Sequence, residues 1–260
     1  MVKYPPTSYN KALPYVGILM LGGLWHLVKL AFLRNNNYIP WPAETILRAY
    51  GLMVKDTAWK DMSYTLQRFI VGYAIAVAAG IPAGMLLGYF KKSYALLGVI
   101  VDFCRSIPVT ALFPLFILFF GISSMTITAM VTTSCVFVIL LNTAYGVIYV
   151  NENRLRMMRS LHAGWLQQFR EVIFFEALPF IFVGLRISVS FALIVVVVVE
   201  MFIGTQYGLG SRIYKAYETF LVADVYALIL IIGVLGYAVN KLILLAERRC
   251  IHWKRQESIL

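Results

Sequence analysis

The residues of this chain able to ionise, coordinate or break a helix inside an apolar run are few. Glu200 stands directly after five consecutive valines, in VVVVVEMF. A carboxylate at the end of such a run marks a functional position by default, because exposing it to lipid costs about 2.5–3.5 kcal/mol even on a lenient insertion scale. The next stretch, GTQYGLGSRIYK, offers it two kinds of partner: backbone N–H groups of the turn Gly204–Gly210, and the cations Arg212 and Lys215. Simple packing at an interface and direct contact with a cargo are the alternatives. A second anomaly is SYALLGVIVDFCRSIPVTALFPLFILFFG, where Asp102, Arg105 and Pro108 interrupt an apolar run and Pro114 follows. Asp102 and Arg105 stand three residues apart and can pair on one helical face. Proline breaks the hydrogen-bond ladder, so the backbone around Pro108–Thr110 must face protein or water. The three histidines and the cysteines Cys104, Cys135 and Cys250 lack metal or disulfide spacing.

A third feature is a polar, basic interruption, Asn151–Pro179, with Arg154, Arg156, Arg159 and Arg170. Leu155, Met158 and Leu161, then Trp165, Leu166 and Phe169, recur at helical steps, so short amphipathic helices are expected. Such a helix either docks into a groove on a soluble partner or lies on the lipid surface with its arginines on phosphates. Both readings stay open on the residues alone.

These features sit in a chain of 260 residues that is 61% hydrophobic and 13% charged, with mean hydropathy +0.79. A soluble domain carries about a quarter charged residues, so this composition is that of an integral membrane protein. The net charge of +11 suits loops facing anionic lipid, and no solvated basic face interleaved with aromatics points to nucleic acid. We expect one all-α domain over residues 1–260, with spans near 14–33, 69–90, 94–120, 125–150, 180–202 and 226–246 and the loop 151–179. His26 reads as a packing residue, and Lys29 as a cation reaching the interface. An amphipathic helix is expected from Pro42, with Trp41, Trp59 and Tyr64 at headgroup level. Gly72, Gly80, Gly84 and Gly88 put a small-residue stripe on the second span. Thr126, Thr128, Thr132, Thr133 and Ser134 either line a polar route or bond back to their own helix. Basic residues of the connecting segments number twelve on the side of the termini and seven opposite, which places both termini in the cytoplasm. No phosphate loop, zinc-helix or serine-elbow motif is present, so the chain does not read as an enzyme.

The ordered stretches YIPWPAETI, SYTLQRFIVGYAIAVAAGIPAGMLLGYF, RSIPVTALFPLFILFFGI, EALPFIFVGLRIS and VEMFIGTQYGLGSRI resemble the permease subunits of bacterial ABC importers, in the nitrate/sulfonate/taurine/bicarbonate branch. The resemblance runs from about Tyr38 to Trp253. It implies a six-helix permease of the type I importer fold in the inner membrane, carrying a small oxyanion. The implied partners are a second copy or a dissimilar permease, cytoplasmic ABC ATPase subunits that alone bind ATP, and an extracytoplasmic solute-binding protein. It also implies that 151–179 couples to the ATPase, through Leu155, Arg156, Met158, Arg159, Leu161, His162, Ala163 and Trp165. The path and gate would be formed by Arg105, Pro108, Thr110, Glu200 and Gln206. The family's Glu-Ala-Ala is replaced by Arg156, Met157 and Met158 here, its turn glycine by His162, and its first Leu-Pro by residues of Val172–Phe175. A non-transporting scaffold of the same fold, and an importer of a neutral heterocycle, are the alternatives.

Overall fold

The computed structural model describes residues 13–32, 38–54 and 58–251, which form eleven α-helices with no strand among the described residues. Three long helices make the centre: α3 (Ala58–Tyr89), α6 (Ser124–Ile148) and α9 (Phe174–Ile203). The glycine stripe of α3 lies flat on α6. A Cβ at Gly84 would stand 2.4 Å from the Leu140 carbonyl oxygen, and one at Gly88 2.6 Å from that of Ala144. Only glycine permits this approach, which in lipid replaces the hydrophobic effect as the source of helix association. Phe69, Ile127, Met130, Val131, Ile139, Val189, Val196 and Val199 fill the space between the three helices.

The hydroxyls of α6 settle between their two readings. Thr128, Thr132, Thr133 and Ser134 donate to carbonyls of their own helix, and Thr132 also to the Gly72 carbonyl of α3. Thr126 donates instead to the Gly121 carbonyl in the preceding turn.

A bilayer core needs about 20 apolar residues in helix. Helices α3 and α6, the unbroken 39-residue run Trp165–Ile203, and α11 (Val222–Cys250) satisfy this. The expected third span is broken. Helix α4 (Lys91–Ser106) ends at Ile107, a 3-10 turn covers Val109–Leu112, and α5 (Phe113–Phe120) leaves with a 79° bend. Pro108 is the cause: it forces Ile107 into an extended conformation (φ −76°, ψ 121°) and donates no N–H. Helix α1 (Leu13–Phe32) carries a shorter apolar stretch, Tyr15–Ala31. Most of its side chains and much of α11 stay exposed, as befits surfaces that face lipid or another subunit.

Two expected boundaries need correction. Helix α3 starts at Ala58 rather than Phe69, because its polar first turns bury Ala58, Asp61, Thr65 and Arg68. The loop 151–179 also ends early. From Trp165 the chain is already helical, through α8 (Trp165–Gln168) and a π turn (Phe169–Ile173) into α9. Val172, Ile173 and Ala177 are buried in this stretch, packed with Met85 and Val147, which draws it into the bundle.

At the Glu200 end two amphipathic helices, α2 (Pro42–Val54) and α10 (Leu209–Glu218), lie against the start of α11. Ala49, Leu52, Leu209, Ile213, Leu228 and Ile231 form their shared core. Lys29 is 4% exposed, with Nζ 5.7 Å from the Trp41 ring centroid. His26 packs on the same indole at 5.1 Å. The N-terminal segment, Arg34, Lys55 and the basic tail beyond Ile251 lie outside the described residues.

Candidate functional site

The chemistry-bearing residues fall at two opposite ends of α9. At one end Glu200 is fully buried. Gly204, in the left-handed region (φ 65°), stops α9 one turn later, and the chain doubles back through Gly208 (φ 148°) into α10. Both turns require glycine. A Cβ at Gly208 would stand 2.6 Å from the Glu200 carboxyl, and one at Gly210 2.2 Å from the Val197 carbonyl oxygen.

The returning helix is held by its first N–H groups, none of which has an intrahelical acceptor. Gly208 N–H donates to Asp61 Oδ1 (3.0 Å), Leu209 N–H to Thr65 Oγ1 (2.9 Å), and Gly210 N–H to Glu200 Oε2 (3.0 Å). Two carboxylates at the positive end of α10 are electrostatically favourable as well. Glu200 further accepts from Thr65 Oγ1 at 2.8 Å, and its Oε1 meets Arg68 Nη1 at 2.6 Å in a pair only 7% and 0% exposed. Arg68 also donates to Ser124 Oγ and to the Tyr207 carbonyl, so one guanidinium joins α3, α6, α9 and the turn. The Tyr64 and Tyr207 rings stack at 5.2 Å beside it, with Lys60 Nζ 3.8 Å from the Tyr207 centroid.

The expected bond from the Gly204–Gly210 turn to Glu200 is present, but the expected cation is different. Arg212 pairs with Asp61 (2.8 Å), and Lys215 Nζ donates to the Gln206 carbonyl (3.4 Å). Arg68 takes their place because it projects from α3 into the buried side of α9, whereas Lys215 lies on the exposed face of α10. Asp61, Thr65 and Arg68 escaped the sequence reading. Their i, i+4, i+7 spacing, one polar stripe running into an apolar helix, was the available signal. Gln206 is exposed in the turn.

Arg105 pairs with Asp102 at 3.1 Å, both about half exposed. Pro108 and Thr110 are exposed at the break. The break packs against α9 near its Glu200 end: Val109, Phe113 and Phe116 lie on the core cluster that includes Val196 and Val199, and the Phe113 ring lies 6.0 Å from that of Phe202.

At the other end of α9, helix α7 (Glu152–Ser160) is capped by Asn151, whose Oδ1 accepts from the Asn153 N–H at 2.9 Å. It ends in a Schellman turn: Ala163 N–H bonds Met158 O and His162 N–H bonds Arg159 O, each at 3.0 Å. His162 sits at the left-handed position, φ 55°, a conformation that favours glycine. The expected docking residues divide here. Leu155 packs inward beside Val147 and Ile173, and Met158 is half-buried. Leu161 and Trp165 stand 67% and 58% exposed, with Arg156 and Arg159 outward and Ala163 between them. Arg156 meets Glu152 at 3.5 Å. Trp165 rests against Tyr89 and Phe169, fixing where the segment leaves the bundle. No cluster of potential metal ligands occurs among the described residues.

Comparison with known proteins agrees with this architecture. The sequence profile of the binding-protein-dependent transport system inner membrane component matches residues 80–252. The putative aliphatic sulfonates transport permease of Bacillus subtilis is 26% identical over 231 residues, covering 89% of this chain and 83% of that protein. The nitrate import permease of Synechocystis sp. is 26% identical over 243 residues, covering 90% and 87%. In fold, the chain is similar to an inward-facing structure of the MetNI methionine ABC transporter, with TM-score 0.59, 21% identity, and coverage of 74% of this chain and 94% of that one. A helical bundle with several membrane-length helices and a buried polar clamp at one end thus belongs to the family of inner membrane components of binding-protein-dependent transport systems.

Proposed function

We propose that the chain is the permease subunit of an ATP-driven importer for a small oxyanion of the class of nitrate, bicarbonate or a short sulfonate. The observation that carries this is similarity, along about nine-tenths of the chain, to permeases named for nitrate and for aliphatic sulfonates. The chain itself binds no nucleotide in this reading and needs no cofactor; hydrolysis belongs to a separate ABC ATPase. Six spans cross the membrane, with α1 and the broken α4–α5 pair counted among them, and both termini are cytoplasmic.

Residues 151–165 then face the cytoplasm and dock on the ATPase. The exposed apolar groups Leu161 and Trp165 enter its groove, and Arg156 and Arg159 meet acidic residues on its rim. The turn Gly204–Gly210 and α10 face outward, towards a solute-binding protein. Glu200 acts there as the anchor of an outer gate, not as a cargo ligand, because the side chain is fully enclosed and its oxygens are occupied by Thr65, Arg68 and Gly210. The path runs between two permeases, along the exposed backbone of Pro108–Thr110.

The test is reconstitution of the permease with its ATPase and binding protein in liposomes, offering labelled nitrate, bicarbonate, ethanesulfonate and a neutral pyrimidine. ATP-dependent uptake of an oxyanion is expected. Uptake of the pyrimidine alone, or of none, overturns the oxyanion reading.

A further inference from the structure

Glu176 lies in the first turn of α9, two residues before Leu178-Pro179, and its side chain is only 17% exposed. Its Oε2 accepts the backbone N–H of Asn151 at 2.7 Å, and its Oε1 receives the Arg154 guanidinium at 2.9 Å as an ion pair without hydrogen-bond geometry. Asn151 is the N-cap of α7, and Arg154 stands in its first turn. A single carboxylate on α9 therefore grips the start of α7 across 25 residues of chain.

The other end of the same segment is already part of α9, since α8 and the π turn run into it without a break. The contact at Glu176 closes the segment into a ring. Without it α7 is joined to α9 directly by the Schellman turn, a single-residue pivot at His162, and by the Leu155 side chain, and to α6 by the short link Tyr149–Val150. With it, α7 is tied at its first turn as well as its last. Leu155, packed beside Ile173, adds an apolar contact inside the ring.

We propose that Glu176 is the positioning residue that makes α7 and α9 move as one body, so that force applied to α7 reaches α9 instead of swinging α7 about its turn. This inference rests on the reading that α7 and its turn dock on an ATPase. The consequence reaches the opposite end of the molecule. Glu176 and Glu200 are 24 positions apart on one helix, about 36 Å along its axis. The first carboxylate fastens the docking helix, and the second fastens α10. Docking motion and gate motion are in this way carried by one rod with a carboxylate at each end.

The experiment is a spin-label distance measurement in the nanodisc-embedded permease–ATPase complex. One label replaces Met157 on the exposed side of α7, the other Val183 on the exposed side of α9. The variants carry the cysteines at these two positions in a background free of Cys104, Cys135 and Cys250. In the parent protein a single narrow distance is expected, unchanged between the nucleotide-free and MgATP–vanadate states. Glu176→Ala, which loses both contacts, should lose the single peak or shift with nucleotide. Glu176→Gln, which still accepts the Asn151 N–H, should keep it. A Glu176→Ala distribution identical to the parent in both states overturns the proposal, as does a parent distance that changes with nucleotide. Failure of the parent to retain the ATPase sinks the docking reading instead. The nucleotide-free permease alone then still decides the latch, through the width of the Glu176→Ala peak.

Discussion

Replacing Glu200 is the perturbation whose size follows most directly from the structure. Glu200→Ala leaves the Arg68 guanidinium, 7% exposed, without its carboxylate, and strips the Gly210 N–H of its acceptor. Removing one partner of a buried ion pair costs about 3–5 kcal/mol. The loss falls mainly on the seating of α10, because that is the element Glu200 fastens. At roughly 1.4 kcal/mol per tenfold, the unseated state gains about two to three and a half decades in population. Glu200→Gln keeps one acceptor and the shape but removes the charge. Hydrogen bonds to charged groups are worth about 1.5–3 kcal/mol, so one to two decades are expected. The assay is amide hydrogen exchange on the peptide containing Gly208, Leu209 and Gly210, in the detergent-solubilised protein, with mid-α9 amides as internal control. Exchange should accelerate in the order wild type, Gln, Ala. The double variant Glu200→Ala/Arg68→Leu should exchange more slowly than Glu200→Ala alone, since no lone buried charge remains. Equal exchange in wild type and Glu200→Ala would refute the assignment of Glu200 as the anchor of α10.

The close approach of α3 and α6 predicts that Gly84→Ala lowers stability by about 1–3 kcal/mol, because its Cβ would meet the Leu140 carbonyl oxygen at 2.4 Å. Gly233→Ala, which meets nothing within 4 Å, should melt like the wild type in the same thermal assay. At the Schellman turn, His162→Gly relieves a left-handed histidine and should raise stability by roughly 0.5–1 kcal/mol. A lower melting temperature for His162→Gly would show that the imidazole makes a contact worth more than the strain.

Much of this arrangement was readable from residue types, and the part that was not has a common cause. Pro108 announces the break in the third span because its ring and missing N–H act locally, whatever packs nearby. Glu200 announces itself by lying beyond five valines. Its partner does not: Arg68 is 132 positions away, and next to the apolar run from Phe69 it reads as an interfacial cation. Hydropathy places the start of a span where apolar residues begin, but a helix starts where its backbone bonds begin. The polar turns Ala58–Arg68 belong to the helix, with Asp61 and Thr65 buried against the start of α10. The loop boundary near Pro179 fails similarly: Arg170, Glu171 and Glu176 lower the apparent hydropathy of turns whose Val172, Ile173 and Ala177 are buried. The hydroxyls of α6 had two outcomes open because back-bonding and route-lining use the same residues at the same spacing.

The central claim is that this permease is driven by an ATPase seated on the segment 151–165. It is tested most directly by purifying the complex, in wild-type form and with Leu161→Asp/Trp165→Asp, and measuring ATP hydrolysis with and without the loaded solute-binding protein. Both substituted side chains are exposed, so membrane insertion should be unaffected. The account predicts that the wild type retains the ATPase and hydrolyses faster when the binding protein is added, while the double variant inserts normally and loses the ATPase. Recovery of the ATPase with the double variant at the wild-type level, with the same stimulation, would contradict it.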